Sequence, residues 1–196
     1  MQNKILLINA SELVTCRGQG PKAGQAMNDL GIITNGAVAI ENGLITHVGG
    51  TAELQAVLSL TEYQIVDCSG KCVMPGFIDS HTHLVFGGYR AEEFSWRLGG
   101  ATYMEIMDKG GGIVNTVRAT QNASKDELTR LAIERLDSML ALGVTTVEAK
   151  SGYGLDLETE MKQSQCFCML SIWKKRTGLG LIPSRFRGFA RLQVWM

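Results

Sequence analysis

Short apolar runs broken by glycine and polar residues dominate the first part of the chain, a pattern of strands. Lys4 to Val14, with Ile5, Leu6, Leu7 and Ile8 at its centre, reads as a first strand. Residues 17–31, rich in glycine and polar side chains, read as a loop. From Gly36 to Val48, two apolar arms flank Asn42-Gly43, a dipeptide that supplies positive φ at both centres of a type I′ turn, so this segment is predicted to be a hairpin. Ala52 to Leu60 has helical spacing. Gln64 to Asp67 and Lys71 to Val73 are predicted to pair with each other around Ser69-Gly70.

Beyond this β-rich part the period changes. Phe77 and Ile78 follow the Pro75-Gly76 turn and predict a short buried strand. Ala101 to Met107 reads as helical. Ser124 can cap a helix with Glu127 three residues on, and Leu128, Leu131, Ala132, Leu136, Met139 and Leu140 share one face of it. Gly143 suits the position after its end, and Val144 to Val147 is the next strand. Helix following strand in this order predicts a βαβ unit. Fold class is therefore α/β: residues 1–70 form a small β unit with one short helix, and residues 71–163 a run of βα units.

The candidate chemistry sits at the end of the Phe77 strand, where Asp79-Ser80-His81-Thr82-His83 holds two of the three histidines. Alternation along a strand puts His81 and His83 on one side. Two neutral imidazoles on one rigid element can hold a divalent metal while other positions stay open for water and substrate, although a solvent-facing pair has the same spacing. The third histidine, His47, lies in the second hairpin arm and reads as an ordinary strand residue. Arg90 follows in the loop that leaves the strand. Its planar fork suits a carboxylate, and Glu92 or Glu93 is the alternative partner. Gly110-Gly111-Gly112 lacks the Gly-Lys-Ser/Thr of a phosphate loop and fits either an active-site loop or a helix connection. After the Val144 strand, Glu148-Ala149-Lys150-Ser151-Gly152-Tyr153-Gly154-Leu155 offers a charged pair and a tyrosine, to bind a polar substrate or to form a salt bridge and surface turn.

Nineteen basic and nineteen acidic residues cancel, which removes the electrostatic case for nucleic acid or an anionic membrane as partner. No apolar run approaches the roughly 20 residues of a membrane span, and the start lacks the apolar region of a signal peptide, so a cytoplasmic protein is expected. Five cysteines, Cys16, Cys68, Cys72, Cys166 and Cys168, lack paired C-x2-C spacing and read as reduced thiols. Charge is uneven: every acidic residue lies before position 164, and the remaining 33 residues carry six Lys or Arg. Residues 164–196 therefore read as an anomalous basic tail foreign to the fold, of the kind a shifted reading frame produces; a nucleic-acid or membrane arm around Lys174-Lys175-Arg176 is the weaker reading.

Pro75-Gly-Phe-Ile-Asp-Ser-His-Thr-His83 resembles the first barrel strand of the metal-dependent amidohydrolase superfamily. The ordered series Phe86-Gly-Gly-Tyr-Arg90, Ala101-Thr-Tyr103, Gly110-Gly-Gly-Ile113, Thr116-Val-Arg-Ala-Thr120 and Glu148-Ala-Lys-Ser-Gly-Tyr-Gly-Leu155 is similar to the imidazolonepropionase family over about residues 1–163. That resemblance implies a portion of an N-terminal β-sandwich followed by the opening units of an incomplete (β/α)8 barrel, since Val73 to Gln163 is 91 residues against the roughly 250 of a closed one. It implies hydrolysis of the cyclic amide 4-imidazolone-5-propanoate to N-formimino-L-glutamate in histidine degradation, with one zinc or iron ion per subunit. His81 and His83 would be metal ligands, and Arg90, Tyr103 and Tyr153 would line the pocket of this small-molecule substrate. A full-length member could be a homodimer. The family's further ligands (a His and an Asp), its pocket His and its acid/base Glu find no counterpart in residues 164–196, which contain no His, Asp or Glu. No catalytic acid or base is thus identifiable, and the chain alone is expected to be inactive. The alternatives are a non-catalytic fragment that associates with other chains, and another cyclic amidohydrolase or aminohydrolase, hydantoinase-like or guanine-deaminase-like.

Overall fold

A computed structural model describes residues 4–18, 20–177 and 180–183. The chain divides into two compact units between Gly76 and Phe77, six residues later than the boundary the sequence predicts.

The first unit is built on one five-stranded sheet. Its strands are β1 (Lys4–Val14), β2 (Ile32–Glu41), β3 (Leu44–Gly50), β4 (Gln64–Asp67) and β5 (Cys72–Val73), in the order β3-β2-β1-β4 with β5 also on β1. Alternation buries both faces: Leu7, Leu13, Val38 and Ile40 pack together on one, while Leu6, Ala37 and Ala39 meet Leu54 of helix α1 (Thr51–Val57) on the other. The β2–β3 hairpin turns as expected, with φ of 52° at Asn42 and 78° at Gly43. β4 and β5, expected to pair with each other, instead run in tandem along β1, both parallel to it, at Ile5 to Ile8 and at Glu12 to Leu13. Eleven residues of β1 are long enough to take both, and the Ser69-Gly70 turn joins successive stretches of one edge rather than reversing the chain.

The second unit begins with β6 (Phe77–Thr82), passes through helices α2 (Ala91–Leu98), α3 (Tyr103–Asp108), α4 (Ile113–Asn122) and α5 (Lys125–Ala141) to β7 (Val144–Ala149), and continues through α6 (Leu157–Thr177) to β8 (Gly180–Pro183). β6, β7 and β8 form a parallel sheet in that order. α5 follows its sequence pattern: Ser124 Oγ accepts the Glu127 amide at 3.1 Å, Leu128, Leu131, Ala132 and Leu136 are buried, and Gly143 has φ 87° after the last turn. Phe77 and Ile78, expected to be buried, are about half exposed, because β6 has β7 on one side only among the described residues.

The expected boundary at residue 163 falls inside α6, which runs through it unbroken. Cys166, Phe167 and Leu170 pack with Leu84, Val85, Leu128, Val147 and Ala149 in the core of this unit. An apolar i, i+4 spacing from Cys166 to Leu170 is enough to bury the helix, even though its charge composition differs from that of the preceding chain. The remainder of the tail, from residue 184 on, lies outside the described residues, as does the cysteine at 168 with respect to its side chain. Among the described residues no helix is long and apolar enough to cross a membrane.

Leu128 has no exposed surface. Its replacement by Ala is expected to destabilise the second unit by about 2–5 kcal/mol through loss of burial and the cavity left behind, against about 1 kcal/mol for removal of the Ser124 cap by Ser124→Ala. Chemical denaturation of both variants checks the ranking; an equal effect would place Leu128 outside the cooperative core.

Candidate active site

The parallel pairing of β6 with β7 brings the sequence candidates together. Thr82 lies opposite Ala149, and its carbonyl accepts the Lys150 amide at 2.9 Å, so the segment after β7 leaves beside the histidines. The register shifts between Asp79 and Thr82. Such a bulge turns side chains at a strand end, and here Asp79 Oδ1 takes the His81 amide at 3.1 Å. The rings of His81 and His83 are 5.8 Å apart, centroid to centroid, tilted by 58°.

His83 is the better enclosed of the two. Its ring lies 4.9 Å from that of Tyr153, which in turn is 5.6 Å from Phe86. Gly152 makes this approach feasible: its φ is 135°, and a Cβ there would lie 3.2 Å from His83 Cε1. The Nδ1 atom of His83 is buried with no hydrogen-bond partner. Burial pushes the imidazole below its ordinary value, His81 and Lys150 push the same way, and the opposing influences of Glu160 and the Ser151 backbone are outweighed. The balance favours the neutral imidazole, the form that ligates metals.

The tyrosine turn is itself held from two helices. Gln121 on α4 donates to the Gly154 carbonyl and to Asp156 Oδ2, both at 2.9 Å, and Glu160 on α6 accepts the Gly154 amide at 2.7 Å. Glu148 and Lys150 pair with each other at 2.7 Å. Arg90 stands before α2 and faces Glu93 at 3.8 Å, one of its two alternative partners. Glu93 also accepts the Gly112 amide at 2.8 Å, so the glycine run is a pinned connection between α3 and α4. Tyr103 opens α3 with its side chain largely exposed. The structure thus gathers His81, His83 and Tyr153, whereas Arg90 pairs with Glu93 and Tyr103 stands exposed at the start of α3.

Two residues that sequence reasoning passed over complete the surroundings. Arg135, on the flank of α5, donates through Nη1 to the carbonyls of Leu84 and Phe86 at 2.7 and 2.9 Å, and its guanidinium carbon lies 3.6 Å from the Phe86 ring centroid. Gln163, fully buried on α6, donates to the Val85 carbonyl. Neither had a sequence signal, because each acts on backbone carbonyls far away in the chain. His83, Phe86, Tyr89, Arg135 and Met139 also line an open cavity of about 580 Å³. As a metal site the two imidazoles fit a partial shell: both sit at one strand end, and one presents an unpartnered nitrogen. Among the described residues no group of three or more His, Cys, Asp or Glu side chains is placed to complete it.

A profile of the amidohydrolase family matches residues 64–131. The imidazolonepropionase of Clostridium tetani is 49% identical over 193 residues, covering 95% of this chain and 46% of that protein. That of Parabacteroides distasonis is 54% identical over 83% of this chain and 39% of its own, and that of a Bacillus cereus strain 53% identical over 97% and 46%. Similarity to the Clostridium and Bacillus proteins therefore continues beyond residue 163, where the sequence reading had it stop. Among solved structures, Escherichia coli guanine deaminase aligns over 93% of this chain and 35% of its own at 13% identity and a TM-score of 0.56, and Aspergillus niger ochratoxinase over 93% and 31% at 14% identity and 0.55, likenesses of fold alone. The chain spans less than half the length of the curated relatives it matches. At about 50% identity over most of its own length, the chain is similar to the first part of imidazolonepropionases, and part of it matches the amidohydrolase family.

Proposed function

We propose that this chain carries the first half of an imidazolonepropionase active site, which hydrolyses the cyclic amide of 4-imidazolone-5-propanoate to N-formimino-L-glutamate in histidine degradation. The observation that carries the reading is the cluster of His81, His83 and Tyr153 at one sheet edge, in a chain about 50% identical to curated imidazolonepropionases. In this reading the first unit is part of a β-sandwich and the second opens a (β/α)8 barrel, whose active sites lie at the C-terminal ends of the strands. That is the edge at which both histidines and the Tyr153 turn stand.

His81 and His83 would hold one zinc or iron ion through neutral imidazoles. A ring amide resists water, and a bound divalent ion supplies Lewis acidity toward its carbonyl and lowers the pKa of water. The chain's own residues bind and orient. Tyr153, held beside His83 by the Gly152 turn, directs its ring and hydroxyl toward the substrate ring; Arg90 takes the propionate as a planar fork takes a carboxylate, with Glu93 keeping the guanidinium poised; Tyr103, exposed at the start of α3, closes on the same ligand. The remaining ligands and the group that moves the proton to the leaving nitrogen would come from the portion of such an enzyme that this chain, at 46% of the Clostridium tetani relative's length, does not span.

In the chain extended with the remainder of the Clostridium tetani relative, metal content after gel filtration tests the ligand roles. His81→Ala and His83→Ala are each expected to lower zinc retention by at least about tenfold, and retention equal to wild type would remove both from the site. Protons compete with the metal for His83, whose affinity for them lies below the ordinary imidazole value of 6.5. Retention should therefore be level from pH 8 to pH 7 and decline only below that value; a loss already complete at pH 7 contradicts it. In the chain extended with the remainder of the Clostridium tetani relative, Arg90→Ala is expected to raise KM for the propionate-bearing substrate about 10–100-fold, the worth of a charge-assisted bidentate contact. Unchanged KM would assign Arg90 to its pair with Glu93 alone.

A further inference from the structure

We propose that Arg135 is a positioning residue for His83, fixing both the backbone that leaves this histidine and the aromatic stack on which its ring rests; the inference builds on the metal-site reading above. Nη1 of Arg135 holds the carbonyls of Leu84 and Phe86, the first and third residues after His83. Its guanidinium plane lies against Phe86, and ring contacts lead from Phe86 to Tyr153 and from Tyr153 to His83. One side chain thus acts on the imidazole by two routes, through the main chain and through the rings.

A purely structural role accounts poorly for an arginine here. Its Nε and Nη2 atoms are buried without a well-formed hydrogen bond, and the half-buried charge is eased only by the Tyr89 side chain and the more distant Glu134 carboxylate, with no carboxylate bonded to it. An apolar residue of similar volume would avoid that desolvation, which is why buried charges are often neutral or unfavourable for stability. What an apolar residue cannot do is donate to two carbonyls of one segment while stacking on a ring. Lysine could donate, but without a plane. The arginine is therefore matched to the geometry of the Leu84 to Phe86 segment rather than to the core.

The test uses the full chain with Arg135→Met and Arg135→Lys, each first checked for folding by thermal unfolding. Two quantities are read: the NMR resonance of His83 Cε1–H, displaced by the Tyr153 ring, with His81 as internal reference; and, in the chain extended with the remainder of the Clostridium tetani relative, Zn2+ affinity by competition with a chromogenic chelator. Arg135→Met is expected to move the His83 resonance toward its free-imidazole position with His81 little changed, and to weaken Zn2+ binding about tenfold; Arg135→Lys should fall between it and wild type. If Arg135→Met does not fold, Arg135→Lys is read against wild type in the same way, together with Phe86→Leu, which removes the ring but keeps the carbonyl bonds. An unchanged His83 resonance in the folded variants overturns the proposal. Should the chain extended with the remainder of the Clostridium tetani relative bind no Zn2+, the metal reading fails, while the His83 resonance in the present chain still decides the role of Arg135.

Discussion

The candidate site depends on one constraint, the parallel pairing of β6 with β7. Neither strand carries the site alone. The amide of Lys150 on the carbonyl of Thr82 fixes where the chain leaves β7, and only that exit places Tyr153 against His83. Parallel strands need a crossover, and α5 supplies it by burying Leu128, Ala132 and Leu136 against the Val147 and Ala149 side of β7. The Gly152 φ of 135° is the local condition that lets the turn close on the imidazole. Core, crossover and site are thus successive consequences of the same register.

Much of this was legible in the sequence where the signal is local. Asn42-Gly43, Ser124 with Glu127 and Gly143 all report backbone conformations set within a few residues, and they took the expected form. Pairing over distance was less legible. The tandem attachment of β4 and β5 to β1 depends on the length of a strand some 60 residues earlier, and the exposure of Phe77 and Ile78 on β6 having one neighbour among the described residues. The extent of α6 was hidden by composition: a change of charge after residue 163 says little about a helix whose inner face needs only Cys166, Phe167 and Leu170. Arg135 and Gln163 escaped notice because their partners are main-chain carbonyls, which leave no trace in residue types.

Within the site, the division of labour follows from enclosure. His83 is packed between Tyr153 and the backbone that follows it, and burial favours its neutral form, whereas His81 is exposed at the bulge and has its amide tied by Asp79. A pair with one fixed and one accessible imidazole suits a metal shell that other residues complete. Arg90, held by Glu93 near the glycine connection, stands at a separate helix start. The likeness to imidazolonepropionases, at about half their length, agrees with a chain that holds one share of such a site.

If the residues present here are the imidazolonepropionase share, they need only the rest of that enzyme to work. The most direct test is turnover of 4-imidazolone-5-propanoate by this chain joined to the remaining portion of the Clostridium tetani relative and loaded with zinc. Hydrolysis to N-formimino-L-glutamate by the joined protein, and none by this chain alone, is the predicted result. A folded, metal-loaded joined protein that leaves the substrate intact would contradict it.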